Sequence, residues 1–161
     1  MAAATGATLL AETFPARIER GAGLPAVERL GYLAEQVAYQ LSGVKHIVLA
    51  GARSPVSFFA YPGKPSDLVP EGSSVHVLAD QGADVAQALE HLADQVAEGV
   101  EPVNQPARRP AVPSGELTVQ TMADVLGALL PEGAIVADEA NTSGLLVPMA
   151  TAGAPPHDVL T

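Results

Sequence analysis

Val44-Lys45-His46-Ile47-Val48-Leu49-Ala50-Gly51-Ala52 is the stretch on which the reading of the fold turns. It is a short, nearly unbroken apolar run with β-branched residues and a glycine stop, the pattern of a strand buried on both faces. Helical patterns lie before and after it, so a parallel sheet with crossover helices is the economical solution. The fold class expected is α/β, a Rossmann-like parallel sheet with flanking helices. In such sheets ligands bind beyond the carboxyl ends of the strands. Gly51-Ala52-Arg53-Ser54-Pro55 leaves that edge and is the first place to look for chemistry, although a single Gly after a strand is most often just a turn.

Working towards the N-terminus, Val27, Leu30, Ala34, Val37 and Leu41 keep helical spacing, while Gly31 weakens the middle. A helix is expected over about residues 33–41, closed by Gly43. Residues 7–11 read as a strand, with Glu12-Thr13-Phe14-Pro15 leaving its carboxyl edge and Gly21-Ala22-Gly23 making a loop. Residues 1–6, Ala-rich and stopped by Gly, look like the last turn of a helix whose beginning is missing.

Working towards the C-terminus, residues 57–72 are rich in Pro and Gly and read as a long irregular loop, a length uncommon unless the loop does something. Residues 74–79 read as another strand, ending at Asp80. Val85, Leu89, Leu92 and Val96 form one apolar stripe of a helix over roughly residues 84–98. Pro102, Pro106, Pro110 and Pro113 then forbid a helix and favour an extended, stiff connector, read as a domain boundary. Beyond it the pattern starts again. Thr118 can cap a helix carrying Val119, Met122, Leu126 and Leu129, Pro131-Glu132-Gly133 stops it, and Ala134-Ile135-Val136-Ala137 is a strand. Residues 138–144 are the loop at that strand's carboxyl edge, and residues 151–161 hold a Gly-Ala-Pro-Pro turn and then stop. One helix and one strand are too few to bury a core alone, so the chain is expected to be an interior piece of a longer protein.

Composition bounds the function. The chain has 161 residues, 48% apolar and only 4% aromatic with no Trp, so the core must be built from Ala, Val and Leu. A net charge of −10 without a basic stripe argues against a nucleic-acid partner. Cysteine is absent, which excludes disulfides and thiolate metal sites. No apolar run approaches the ~18 residues of a membrane span, and no charged-then-apolar leader opens the chain. No membrane partner is expected, and a cytoplasmic location is the default.

These pieces resemble a known family. Leu130-Pro131-Glu132-Gly133-Ala134-Ile135-Val136-Ala137-Asp138-Glu139-Ala140-Asn141-Thr142-Ser143-Gly144 resembles the opening of the diphosphate-binding domain of thiamine-diphosphate-dependent enzymes, in the acetolactate synthase and benzoylformate decarboxylase branch. Glu28-Arg29-Leu30-Gly31-Tyr32, Val48-Leu49-Ala50-Gly51-Ala52 and Tyr61-Pro62-Gly63 resemble that family's central domain. The resemblance covers essentially the whole chain, and the order of the segments carries it. It implies residues 1–100 as a central Rossmann-like domain lacking its first strand, 101–115 as a Pro-rich linker, and 116–161 as the start of the diphosphate-binding domain.

By the same resemblance, Asn141, Thr142 and Ser143 would donate to the diphosphate oxygens of thiamine diphosphate held with Mg2+. Short hydroxyl and amide side chains at a helix start suit an anion, and the plainer alternative is an N-cap. The catalytic glutamate and the Gly-Asp-Gly metal motif of the family are absent from the chain, which would carry part of one cofactor wall and no catalytic residue. The parent would decarboxylate a small 2-oxo acid, form a carbon–carbon bond, and be a homo-oligomer. No histidine occurs in residues 55–72, where benzoylformate decarboxylase places one, and this favours the synthase over the decarboxylase. Acetolactate synthases also hold FAD against the central domain, but no G-x-G-x-x-G is present, and FAD is weighed against. The alternative reading is a free-standing Rossmann-like nucleotide-binding or subunit-interaction module without catalysis.

Other chemistry-bearing residues have plain accounts. His46, His76, His91 and His157 do not cluster in sequence and are expected in structural or surface roles, so no metal ligand is assigned. Asp138 and Glu139 could be an acid–base pair or solvated loop acids. Arg53 could meet a phosphate or form a surface ion pair. Phe58-Phe59-Ala60-Tyr61 could be an interface patch or a loop packing back on its own sheet.

Overall fold

The computed structural model describes residues 1–60, 62–140 and 142–161. In chain order the elements are α1 (Ala2–Thr5), β1 (Leu10–Ala11), β2 (Ile18–Arg20), β3 (Glu28–Arg29), α2 (Ala34–Gln40), β4 (His46–Ala50), β5 (Ser74–Ala79), α3 (Val85–Val96), α4 (Val119–Leu129), β6 (Ile135–Ala137), a 3-10 turn (Ser143–Leu146), α5 (Val147–Ala150) and β7 (His157–Leu160). The class is α/β, with parallel sheet pieces and helices. The chain divides into two compact units, Met1–Thr13 with Glu28–Glu101, and Phe14–Val27 with Pro102–Thr161.

In the first unit β1 pairs with β3 and β4 with β5, both in parallel. Among its described residues the crossover from β4 to β5 is a loop and contains no helix. That loop is tied back on itself: Val56 bridges Asp67 antiparallel, Ser57 N–H donates to Ser66 O at 2.8 Å, and Leu68 N–H donates to Pro55 O at 3.0 Å. Leu68 drops into the core beside Ala34, Val37 and Leu41 of the α2 segment, with Leu10, Leu30 and Ile47 packed against them. Gly31 does not interrupt α2; it lies ahead of it, where its N–H donates to Gln40 Oε1 (2.8 Å) and the same amide's Nε2 donates to Arg29 O (3.0 Å).

The expectation that residues 44–50 are buried on both faces is corrected here. Val48 is 55% exposed, and His46 shares its open face. Among the described residues one strand, β5, flanks β4, and α2 covers the Ile47 side, so an apolar run of this kind is covered on one face alone.

The second unit holds a three-stranded sheet in the order β2-β7-β6, with β2 antiparallel and β6 parallel to β7. β2 and β7 were not expected from the sequence. Ile18 pairs with Val159 across most of the chain, and Arg17 Nε donates to Asp158 Oδ1 at 2.8 Å alongside. That hydrogen bond and the carboxylate's charge hold the exposed Arg17 guanidinium above its ordinary pKa. Residues 101–115, expected as a connector, are bonded into this unit from Asn104 onward. Asn104 bridges Pro25, Gln105 N–H donates to Leu24 O (2.8 Å), and Arg108 N–H donates to Gly153 O (2.9 Å). Arg109 Nη1 donates to Ala128 O (2.6 Å), satisfying a carbonyl in the last turn of α4.

α4 begins as expected at Thr118, whose Oγ1 accepts from Thr121 N–H at 3.1 Å. Thr118→Ala should lower the stability of this unit by about 1 kcal/mol in urea titrations, the usual worth of such a cap. The buried hydrophobic side chains are those of Ala, Val and Leu, among them Ala123 and Ala154 at 0% exposure, as the aromatic-poor composition requires.

Candidate functional site

The carboxyl edge of β6 carries the candidate anion site, within the second unit. β6 ends at Ala137, and Asp138 N–H still donates to Leu160 O at 2.9 Å, so the loop leaves from a fixed point on the sheet. Asp138 Oδ1 then accepts from Ala140 N–H at 3.1 Å, turning the chain back. Gly144 is buried where the turn closes; a Cβ there would lie 2.7 Å from Asp138 Oδ1 and 3.0 Å from Ala140 Cβ. Asp138 is thus spent on shaping the loop. Asn141 lies outside the described residues. Thr142 is exposed at the cap position of the 3-10 turn and makes no side-chain capping hydrogen bond, and Ser143 opens the turn half-buried. The two hydroxyls are therefore adjacent at a helical start that runs on into α5, a donor set suited to phosphate oxygens. Asp138 and Glu139 beside them require a counter-cation for any diphosphate bound there. Among the described residues no group of three or more His, Asp or Glu could hold a metal ion.

The β4 edge, in the first unit, has a different character. Gly51, at φ 65°, N–H-bonds Ala79 O at 2.9 Å, and a Cβ on it would lie 2.9 Å from Val85 Cγ2 of α3. The backbone N–H of Arg53 donates to Glu12 Oε1 at 2.6 Å. The start of α3 is capped by Asp84, whose Oδ1 accepts from Gln87 N–H at 3.0 Å, and Asp80 Oδ1 accepts from Gly82 N–H at 2.9 Å. The backbone N–H groups of Arg53, Gly82 and Gln87 thus already serve carboxylates, and that of Gly51 serves the Ala79 carbonyl. The arrangement presents negative charge where FAD or another nucleotide would bring more.

The aromatic loop is anchored within its own unit, though against the start of α2 rather than against the sheet. Tyr32 stacks on Phe58 (centroids 6.0 Å, 23°) and meets Phe59 edge-on (5.3 Å, 90°), and Lys64 pairs with Glu35. Tyr61 lies outside the described residues. Of the histidines, His157 is buried at 2% exposure with Nδ1 2.8 Å from Pro155 O, a structural role. His46 and His76 meet each other, which their separation in sequence concealed.

Among the described residues no helix is long and apolar enough to cross a membrane. No family model and no solved structure matches the chain. A protein of Mycobacterium tuberculosis (strain ATCC 25618 / H37Rv) described as "Putative acetolactate synthase large subunit IlvX" is 66% identical to it over 158 residues, 98% of this chain and 30% of that protein. The chain spans about 30% of the length of the curated relative it matches, and is similar to one segment of an acetolactate-synthase-like polypeptide.

Proposed function

We propose that this chain is a segment of a thiamine-diphosphate-dependent, acetolactate-synthase-like enzyme: most of a Rossmann-like central domain followed by the opening of the diphosphate-binding domain. The observation that carries the reading is the 66% identity maintained over 98% of the chain to part of a protein described in those terms. The β6 edge supports it, since it offers adjacent Thr142 and Ser143 hydroxyls, the former without a capping bond, at the start of a helical turn.

In this reading Thr142 and Ser143, with Asn141 before them, donate to the cofactor diphosphate, and Asp138 holds their loop against the sheet. Thiamine diphosphate, when bound, supplies the electron sink for decarboxylating a 2-oxo acid ahead of carbon–carbon bond formation. The chain's share is one wall of that site. The ligands of Mg2+ and the catalytic groups are assigned to the remainder of a longer, homo-oligomeric, cytoplasmic polypeptide. FAD is left out of the proposal, because Glu12, Asp80 and Asp84 take the donors its phosphates would need. The same carboxylates weigh against a free-standing nucleotide-binding module.

The test is a graft. This chain replaces the matching segment of the M. tuberculosis relative, with Thr142→Val and Ser143→Ala introduced together. Loss of two hydroxyl donors to a charged phosphate should weaken thiamine diphosphate binding roughly tenfold or more. Unchanged affinity in a folded graft would remove the two hydroxyls from the site.

A further inference from the structure

Two of the exposed histidines of the first unit, His46 and His76, converge although thirty residues separate them. His46 opens β4 and His76 lies within β5; the parallel register sets Val48 opposite His76, so both rings stand on the open face of the strand pair. His46 Nδ1 and His76 Nε2 are 3.2 Å apart, with ring centroids at 5.4 Å and planes tilted by 36°. Both positions are solvent-exposed, and the site belongs to neither candidate edge described above.

We propose that His46 and His76 form a bidentate imidazole site for a borderline divalent transition-metal ion of the zinc, nickel or copper class. The nitrogen separation is the first reason. With metal–nitrogen bonds of about 2.0–2.1 Å, two cis ligands stand about 2.9 Å apart at a right angle and about 3.3 Å apart at the tetrahedral angle. The observed 3.2 Å lies between those limits. Ligand class is the second: neutral imidazole suits these ions, whereas Mg2+ and Ca2+ prefer oxygen donors. Backbone support is the third. Both rings project from paired strands of one ladder, so little ordering of the chain is needed, and a net charge of −10 favours a cation.

In the metal-free pair one ring nitrogen donates to the other. Metal binding moves that bridging proton to the same ring's other nitrogen and turns both lone pairs on the ion, so a neutral pair releases no proton. The exposed rings can turn to make this adjustment. Water fills the remaining coordination positions, which makes this an open site rather than a closed structural one.

The experiment titrates the 161-residue chain with Zn2+ and with Ni2+ at about pH 7.5, where ordinary imidazoles are neutral, following heat and the imidazole 15N resonances. One saturable site is expected, with the His46 and His76 ring signals shifting together. His46→Gln and His76→Gln should each weaken it roughly tenfold or more, because one imidazole loses the chelate advantage. His91→Gln, on the exposed face of α3, should leave it unchanged. Retained affinity in both single variants would overturn the proposal. So would ring signals of His46 and His76 that report their mutual hydrogen bond and do not move with metal.

Discussion

Leu41→Ala should destabilise the first unit by about 3 kcal/mol, enough to leave a marginal body largely unfolded. Leu41 is 4% exposed and belongs to a core cluster of four buried residues, with Ala34, Val37 and Leu68. Two of those four lie in α2 itself, so Leu41 is the largest side chain joining the helix end to the strands below. Its removal forfeits both transfer free energy and the contacts lining the cavity, and so small a core has little else to close the gap. Tyr39, on the same helix and 84% exposed, is the internal control. Tyr39→Ala should stay within about 0.5 kcal/mol of the parent chain. Urea titrations followed by amide signals of β4 and β5 read both variants, and equal midpoints would show that the packing at Leu41 is not what holds this unit together.

Gly127→Val should destabilise the second unit by about 3 kcal/mol, by crowding rather than by cavity. Gly127 is buried in α4, and a Cβ there would run into the carbonyl of Ala150 at the end of α5, with its carbon at 2.8 Å and Pro110 Cγ at 3.0 Å. The neighbours are backbone and a ring, which cannot swing aside as a flexible side-chain tip could. Gly127→Ala separates the two influences at this position. Helix propensity favours Ala by about 1 kcal/mol, while the carbonyl opposes any Cβ, so the Ala variant should also lose stability, by less than Val. A gain in stability for Gly127→Ala would mean that α5 yields at this point. The segment that follows positions Ala152 and Gly153, so the loss should also reach the pairing of Arg108 with Gly153 in amide exchange.

The elements that were legible in the sequence are those whose signals are local. The strand at residues 74–79 matches β5 residue for residue, the apolar stripe from Val85 to Val96 places α3, and the cap at Thr118 places α4. β2 and β7 were not legible, because Ile-Glu-Arg and His-Asp-Val-Leu are short and half polar. They become strands only by pairing, Ile18 with Val159, a partner no window contains. The same gap explains the misjudged burial of Val48: hydrophobicity marks a strand but not how many layers cover it.

At the candidate site, the end of β6 and the loop after it were readable, because an apolar run meeting acids and hydroxyls is a local event. The shaping role of Asp138 was not, since it depends on Ala140 N–H and on the buried Gly144 behind it. The approach of His46 to His76 was hidden for a different reason. Two strands had been foreseen, but their parallel register, which brings residues 46 and 76 onto one face, is a property of the pairing.

The central claim is that this chain supplies one wall of a thiamine diphosphate site and not a whole one. It is tested most directly by calorimetric titration of thiamine diphosphate, with and without Mg2+, into the isolated 161-residue chain and into the graft that carries it within the M. tuberculosis relative. The account predicts no Mg2+-dependent heat for the isolated chain and saturable Mg2+-dependent binding for the graft. Tight stoichiometric binding by the isolated chain, or a silent graft beside a parent relative that binds, would contradict it.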